Sequence, residues 1–499
     1  VEPAYFDFLE ALTVSSGQGR TSLKKDVEEV FSIREITQSF YQDFGEIFRE
    51  DLQDAIHGLE APDENLNAYT RTVVNRVLFL LFIEEKGWLD GDDNCIENKY
   101  EEVAGEDDLH VYDDLFEPLF FDALSKEGPT ESDRLGRIPF LNGGLFEQKD
   151  IEKNVEFDEA FFEKLLSPED GDNGEPEGFL RRYKISLRES NPSEQELVVD
   201  PEFIGRIFEM FMQEAEREEK GTFYTPKPIT EYMAKNAVKQ YLLEDFDDHE
   251  DAVIDLVGNH TTPTELGTEM VRDMRNKIMG VQVVDPAVGS GAFIIAMSEE
   301  LVAIAEALTD GLDEDINRFE LKKQFISDSL YGVDIDSGGI ELCKFRVWLY
   351  LIQDLNISID DFLNQNDKFA LPNLGLKFFV GNSLVGDYEP TELHDTLHVG
   401  DYQGSLSGNY DDGGLIEKIA TLRKEYVNAH SNEKQEIHAE IQRLTDDLDD
   451  KISWESSEHW MTEPVSELSN SEPFKWSIKV PEVILEGGFD IVIGNPPYK

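Results

Sequence analysis

The sequence predicts an α/β protein, a helical N-terminal domain followed by a domain built on a doubly wound parallel sheet. Three observations predict it. Apolar residues in roughly the first 185 positions recur at helical spacing between acidic connectors. Four short runs rich in β-branched and aromatic residues alternate with helical stretches after position 221. The first of those runs enters a glycine-rich turn that opens a helix, the strand, loop and helix of a nucleotide-type unit.

Between Asn67 and Ile83 apolar residues are dense, and Val73, Val77, Leu80 and Leu81 keep helical spacing before a stop at Gly87. That pattern predicts a buried helix. The segments DGDDN (90–94) and SPEDGDNGEPEG (167–178) are acidic and rich in glycine and proline, which predicts exposed loops, the second a linker. No set of Asp and Glu-x-Lys residues on a strand pair marks a nuclease in this part. The expected organisation is a helical domain over 1–185, a helical connector over 186–220, and a second domain over 221–499. The connector carries Phe203, Ile204, Ile207, Phe208, Phe211 and Met212 on one face and ends at Lys220-Gly221.

In the second domain the expected elements are a helix over 228–243, a strand over 281–284, a helix over 292–308 and an inserted helix around 312–325. A strand at Leu330–Asp334, a helix over 339–355 and strands at 377–380 and 489–493 complete the alternation. Leu415, Ile419, Leu422 and Tyr426, then Ile437, Ile441, Leu444 and Leu448, keep helical spacing on either side of a polar turn. A helical hairpin inserted over 413–452 follows.

Charge bears on solvent rather than on substrate. With 107 Asp and Glu against 44 Lys and Arg, the formal net charge is -63, spread along all 499 residues. Self-repulsion of that size destabilises a compact chain at low salt. At multimolar salt the Debye length shrinks to about 3 Å or less. A halophile's cytoplasm is therefore the expected setting, and the acidity does not exclude nucleic acid as a partner. Cys95 and Cys343 stand far apart, which excludes a disulfide framework and a cysteine-rich zinc site. The apolar run Val77–Ile83 is too short to cross a bilayer, and VEPAYFDFLE has no basic and apolar leader pattern.

The chemistry sits at the predicted strand ends. In DPAVGSGAF (285–293), Gly289 and Gly291 let backbone approach a ligand, and Asp285 can accept hydrogen bonds from an ammonium or hydroxyl. A tight strand-to-helix turn would use the same glycines. Asp334 ends the next strand, where a carboxylate faces ribose hydroxyls or else caps the following helix. After the last strand comes Asn495-Pro496-Pro497-Tyr498, in which the prolines fix the backbone and remove N–H donors. The Asn495 side-chain oxygen and the Pro496 carbonyl can then accept from an exocyclic amine beside the Tyr498 ring.

Taken in order, GTFYTP (221–226), DPAVGSGAF (285–293), GVDID (332–336), GNSL (381–384) and GGFDIVIGNPPY (487–498) resemble the gamma-class N6-adenine DNA methyltransferases. LFLLFIEEKGWL (78–89), IPFLNGGLFE (138–147) and FKWSIKVPEVILEGGFD (474–490) also look like the single-chain type IIG restriction-modification enzymes and related phage-defence methylases. The resemblance implies a Rossmann-like methyltransferase domain and S-adenosylmethionine as methyl donor, with no metal. It implies that Phe223, Tyr224 and Thr225 bind the methionine end of that cofactor, with Asp285 near its amino group and Ala287, Gly289 and Gly291 along its backbone. Asp334 would hold the ribose, Ile335 would pack on adenine, and Asn382 and Ser383 would border the adenine ring. Asn382 stands where many relatives carry Asp, so its amide oxygen is the expected acceptor there.

Asn495, Pro496, Pro497 and Tyr498 would hold a target adenine flipped out of double-stranded DNA. Arg181, Arg182, Lys184 and Arg188 form the densest basic cluster and are the expected phosphate contacts. The chain stops just after NPPY, so the domain is expected to be truncated, with a target-recognition domain downstream and a nuclease upstream lying outside it. As it stands it is expected to be inactive alone. A non-catalytic cofactor-binding or scaffolding subunit, and a methyltransferase for RNA or protein glutamine, are the alternatives.

Overall fold

The computed structural model describes residues 42–106, 108–126, 130–141, 144–168, 178–182, 225–264, 266–365, 371–384, 414–429, 431–456, 474–485 and 487–496, with 40, 128 and 369 singly. The predicted connector over 186–220 and most of the predicted linker lie outside the described residues. The chain divides into two compact units. One comprises Val1–Leu141, Leu145–Arg217 and Asn356–Ala370; the other comprises Asn142–Gly144, Glu218–Leu355 and Leu371–Lys499.

The first unit is organised on the helix Pro62–Glu85. Pro62 starts it, because the fixed φ and missing N–H of proline suit a first turn. The apolar run buries Val73, Val77, Leu78, Phe79, Leu80, Phe82 and Ile83 almost completely. Arg76 is buried among them, and its charge is matched by Glu152 at 2.9 Å and by the carbonyl of Leu145 at 2.8 Å. Two short antiparallel pairs, Ile56–His57 with Glu156–Phe157 and Thr130–Ser132 with Gly136–Ile138, add strands that the sequence reading does not contain. Runs of two or three residues leave no periodicity to read.

One boundary is corrected. The second domain was expected to run unbroken from 221, yet residues 356–370 belong to the first unit. Helix Ile359–Asn364, capped by Ser358, sets Phe362 edge-on to Trp88 at 4.8 Å. The Trp88 indole N–H donates to the carbonyl of Ile357 at 3.0 Å, and Arg137 pairs with Asp360 at 2.6 Å. The excursion carries its own apolar residues, Ile359, Phe362 and Phe369, and nothing in its spacing says which core receives them.

The second unit holds a four-stranded parallel sheet of β1 (Val283–Asp285), β2 (Leu330–Asp334), β3 (Phe378–Val380) and β4 (Ile491–Val492), in the order β3-β2-β1-β4. Val283 pairs with Leu330 on one side and Ile491 on the other, and Asp334 pairs with Val380. Val284 and Tyr331 pack with Phe379, Trp476, Val480, Val483 and Phe489 on one face.

Helix α1 (Lys227–Leu243) packs along α2 (Ala292–Asp310), while α2 and α3 (Ser337–Gln353) both contact β2. The inserted helix is shorter than expected, Arg318–Gln324, because the Asn317 side chain caps it by accepting from the Glu320 N–H. Helices α4 (Gly414–Asn428) and α5 (Ser431–Ser456) form the expected hairpin. Asn373 fastens it by donating to the carbonyls of Tyr426 and Ala429 at 2.7 and 2.9 Å. Among the described residues no helix is long and apolar enough to cross a membrane.

Replacing Trp88 by Ala should destabilise the first unit by about 3 to 5 kcal/mol, the usual cost of deleting a fully buried large side chain. Urea unfolding at constant salt measures it, and a loss below about 1 kcal/mol would contradict the packing assigned to residues 356–370.

Candidate functional site

Parallel pairing sends the carboxyl ends of all four strands to one edge of the sheet, where α/β proteins place their ligands. At the centre of that edge stands Asp285, the last residue of β1 and fully buried. Its Oδ1 accepts from the Ala287 N–H at 3.0 Å, and its Oδ2 is buried with no hydrogen-bond partner. Burial pushes the carboxyl up to about 7, with Asp334 adding to the rise and the Ala287 N–H opposing it. A Cβ at Gly494 would stand 2.5 Å from Asp285 Oδ1, so the chain beyond β4 can pass only as glycine. Gly494, the residue ahead of Asn495, therefore meets the head of the glycine loop at this carboxylate.

The loop after β1 is held in a conformation that its glycines permit. Gly289 has φ +49° and Gly291 φ +82°, both left-handed. A Cβ on Gly291 would also lie 2.7 Å from the Cys343 sulfur of α3, whereas one on Gly289 would meet nothing within 4 Å. The first glycine is needed for backbone hand and leaves open space beside it; the second is needed for hand and for room.

Asp334 accepts from the Gly289 N–H at 2.8 Å and from the Asp336 N–H at 2.9 Å, tying the two loops together. Burial raises its pKa, against the pull of those two N–H groups. The cap of α3 is Asp336, which accepts from the Gly339 N–H at 3.0 Å. Of the two uses weighed for Asp334, capping belongs to its neighbour.

The other expected residues fall around this pair. Ile335 is half-exposed beside Asp334. The Ser383 hydroxyl donates to the Pro286 carbonyl at 2.6 Å, which fastens the GNSL loop to the glycine loop. The Asn382 amide oxygen, the acceptor expected for an adenine amine, accepts from the Leu384 N–H at 3.1 Å. Asn495 is half-buried, and its Nδ2 donates to the Thr225 hydroxyl at 3.1 Å. Pro496 is exposed.

Phe223, Tyr224, Pro497, Tyr498, Lys184 and Arg188 lie outside the described residues. Arg181 pairs with Glu97 at 3.1 Å and Glu101 at 2.9 Å, and Arg182 with Asp43 at 2.8 Å. These two guanidiniums are engaged with carboxylates of the first unit.

Two residues of α3 escaped the sequence reading. Arg346 is buried and donates from Nη1 to the Ser290 carbonyl at 2.9 Å and hydroxyl at 2.8 Å, gripping the middle of the glycine loop. Cys343, one turn earlier, fills the space under Gly291. The available signal was one basic residue inside the apolar stretch FRVWLYLI (345–352).

Two family models match the chain. One, described as N-6 DNA Methylase, covers residues 238–376, and the other, the Eco57I restriction-modification methylase, covers 328–499. Among curated proteins the chain is similar to a putative type II restriction enzyme and methyltransferase of Methanocaldococcus jannaschii, 27% identical over 93% of this chain and 46% of the relative. It is 20% identical to the Escherichia coli type II restriction enzyme and methyltransferase RM.Eco57I, over 76% of this chain and 33% of that protein. It is 22% identical to the adenine-specific methyltransferase PglX of Lacticaseibacillus casei, over 75% and 34% respectively. The chain thus spans a third to just under a half of the length of these relatives. Among solved structures, the type IIL restriction-modification enzyme MmeI in complex with DNA matches with a TM-score of 0.42 at 18% identity, over 66% of this chain and 38% of that one.

The raised carboxyl of Asp285 predicts a pH dependence of stability. The native state keeps a proton that the unfolded carboxyl releases near 3.8, so Asp285 costs stability progressively as pH rises from about 4 to about 7. Above that range the cost is constant. Asp285→Asn should remove this share of the decline, and parallel wild-type and variant curves in urea unfolding at pH 5 and pH 8 would contradict it.

Proposed function

We propose that the chain, whose residues 238–376 match the N-6 DNA Methylase model and 328–499 the Eco57I restriction-modification methylase model, forms the modification site of such a system, transferring a methyl group from S-adenosylmethionine to N6 of a flipped adenine. The observation that carries the reading is the close approach of Gly494, the residue ahead of Asn495, to Asp285 at the head of the glycine loop. The strand order β3-β2-β1-β4 and the glycine loop after β1 support a Rossmann-like assignment.

The residues present fit the cofactor. The unpartnered Asp285 Oδ2 is an acceptor suited to an ammonium, and the open space beside Gly289 suits a ligand lying against backbone. When bound, S-adenosylmethionine supplies a methyl carbon on a sulfonium leaving group. In this reading Phe223, Tyr224 and Thr225 bound the methionine end and Asp334 accepts from ribose hydroxyls. Ile335, Asn382 and Ser383 border the adenine.

The protein's contribution is alignment, which converts a two-body displacement into a local one. The Asn495 amide oxygen and the Pro496 carbonyl accept from the target's N6 hydrogens and direct its lone pair outward. Unstacking the base costs a few kcal/mol, and stacking on Tyr498 at about 1 to 3 kcal/mol offsets part of it. No acid–base group or metal is needed for a displacement from a sulfonium.

Duplex DNA as partner, a type IIG context and a salt-rich cytoplasm belong to the same proposal, the last resting on the net charge of -63. The ion pairs of Arg181 and Arg182 support a bracing role for them more than a phosphate contact. Asn495→Ala should abolish labelled-methyl transfer to adenine-containing duplexes while S-adenosylmethionine still binds. Retained transfer would contradict the assignment.

A further inference from the structure

We propose that Thr225 is a positioning residue for the methyl-transfer step, its hydroxyl holding the Asn495 amide in place beside the target base. The inference rests on the adenine-methylation reading above. It gives Thr225 a task distinct from cofactor contact.

An asparagine side chain is nearly symmetric in shape and opposite in hydrogen bonding at its two ends, so its orientation follows from its partners. Here Nδ2 donates to the Thr225 hydroxyl oxygen at 3.1 Å. The amine of the target base selects the Oδ1 end as its acceptor, and the hydroxyl satisfies the NH2 end that remains, so the amide is held at both ends. The reverse orientation would bring NH2 against the amine of the base, setting donor against donor.

Both ends of the contact are anchored. Upstream, the carbonyl of Pro226 accepts from the N–H groups of Ile229 and Thr230 at 2.9 and 3.2 Å, which fixes the loop to the first turn of α1. Helix α1 packs along α2, the helix that the glycine loop opens. Downstream, the Ile493 N–H donates to the Val284 carbonyl at 3.0 Å, and Gly494 lies against Asp285. The residues are 270 positions apart in sequence, and the hydroxyl reaches the amide from a fixed helix start rather than from a free loop.

In the transfer itself, the N6 lone pair forms the new C–N bond while the C–S bond breaks, its electron pair staying on sulfur, and N6 sheds one proton to water. An acceptor at Asn495 Oδ1 holds an N6 hydrogen throughout and keeps the lone pair aimed. Removing the Thr225 acceptor releases the amide to rotate, and the loss falls more on the chemical step than on cofactor binding.

The test uses the natural polypeptide with Thr225→Val, which keeps the shape and removes the hydroxyl, and Thr225→Ser, which keeps the hydroxyl. Adenine methylation is mapped first by sequencing methylated DNA. The Val variant should lower kcat about 10- to 100-fold, the range for a misdirected buried polar group. Its S-adenosylmethionine affinity by calorimetry should fall by a much smaller factor than kcat. Flipping, read from 2-aminopurine at the target position, should also be unchanged, because that base lacks the N6 amine. The Ser variant should recover most of kcat.

A Val variant with wild-type kcat, a Ser variant as impaired as Val, or a loss matched by weakened cofactor binding would each overturn the inference. The last outcome would return Thr225 to the cofactor. If the wild-type protein methylates no adenine, the functional reading itself fails and the inference falls with it.

Discussion

The parallel register of four short strands is the constraint on which the site depends. Each ladder is only two or three residue pairs long, yet it fixes where the chain leaves the sheet. Because β1 lies between β2 and β4, Asp285, Asp334 and Gly494 emerge side by side from segments far apart in sequence. A one-residue slip of β4 would move Asn495 by about 3.3 Å and turn its side chain to the other face. The aromatic packing of Tyr331, Trp476 and Phe489 guards against that slip, since Phe489 lies two residues before the paired segment and stacks edge-on to the other two rings.

Two carboxylates stand at the strand tips, Asp285 buried and Asp334 half-buried, in a chain that already carries a large excess of negative charge. They are managed differently. Asp334 is satisfied by two backbone N–H groups, and its work inside the fold is to hold the glycine loop against β2. Asp285 has one such donor and one orphaned oxygen. An orphaned buried oxygen costs stability unless something with a donor fills the space before it. The same feature that weakens the protein alone suits a cationic or hydroxylated ligand. Arg346, reaching the loop through Ser290, supplies positive charge at the middle of it.

Much of this was legible before any coordinates. Strand β2 matches its expected bounds, and α1, α2 and the hairpin helices differ from theirs by a few residues, because periodic apolar patterns and glycine stops are local signals. Gly289 and Gly291 were legible as glycines that let backbone approach a ligand, and their left-handed torsions are what the structure adds. The excursion of residues 356–370 to the first unit was not legible. A short helix with three apolar residues fits many cores, and Trp88, its partner across more than 250 positions, carries no mark of it. The short antiparallel pairs, the Cys343 packing under Gly291 and the Arg346 clamp were hidden for the same reason.

What the sequence determined by itself is the inventory and its order: glycines where backbone must bend left, carboxylates at strand ends, an amide ahead of paired prolines. These follow from conformational preferences that act over a few neighbouring residues. Tertiary structure alone decided which of them touch. That Asp336 rather than Asp334 caps α3, that Gly494 makes room for Asp285, and that Thr225 reaches Asn495 are outcomes of strand order and helix packing. Those come from burying apolar surface across the whole unit, a sum over distant residues that no local pattern records.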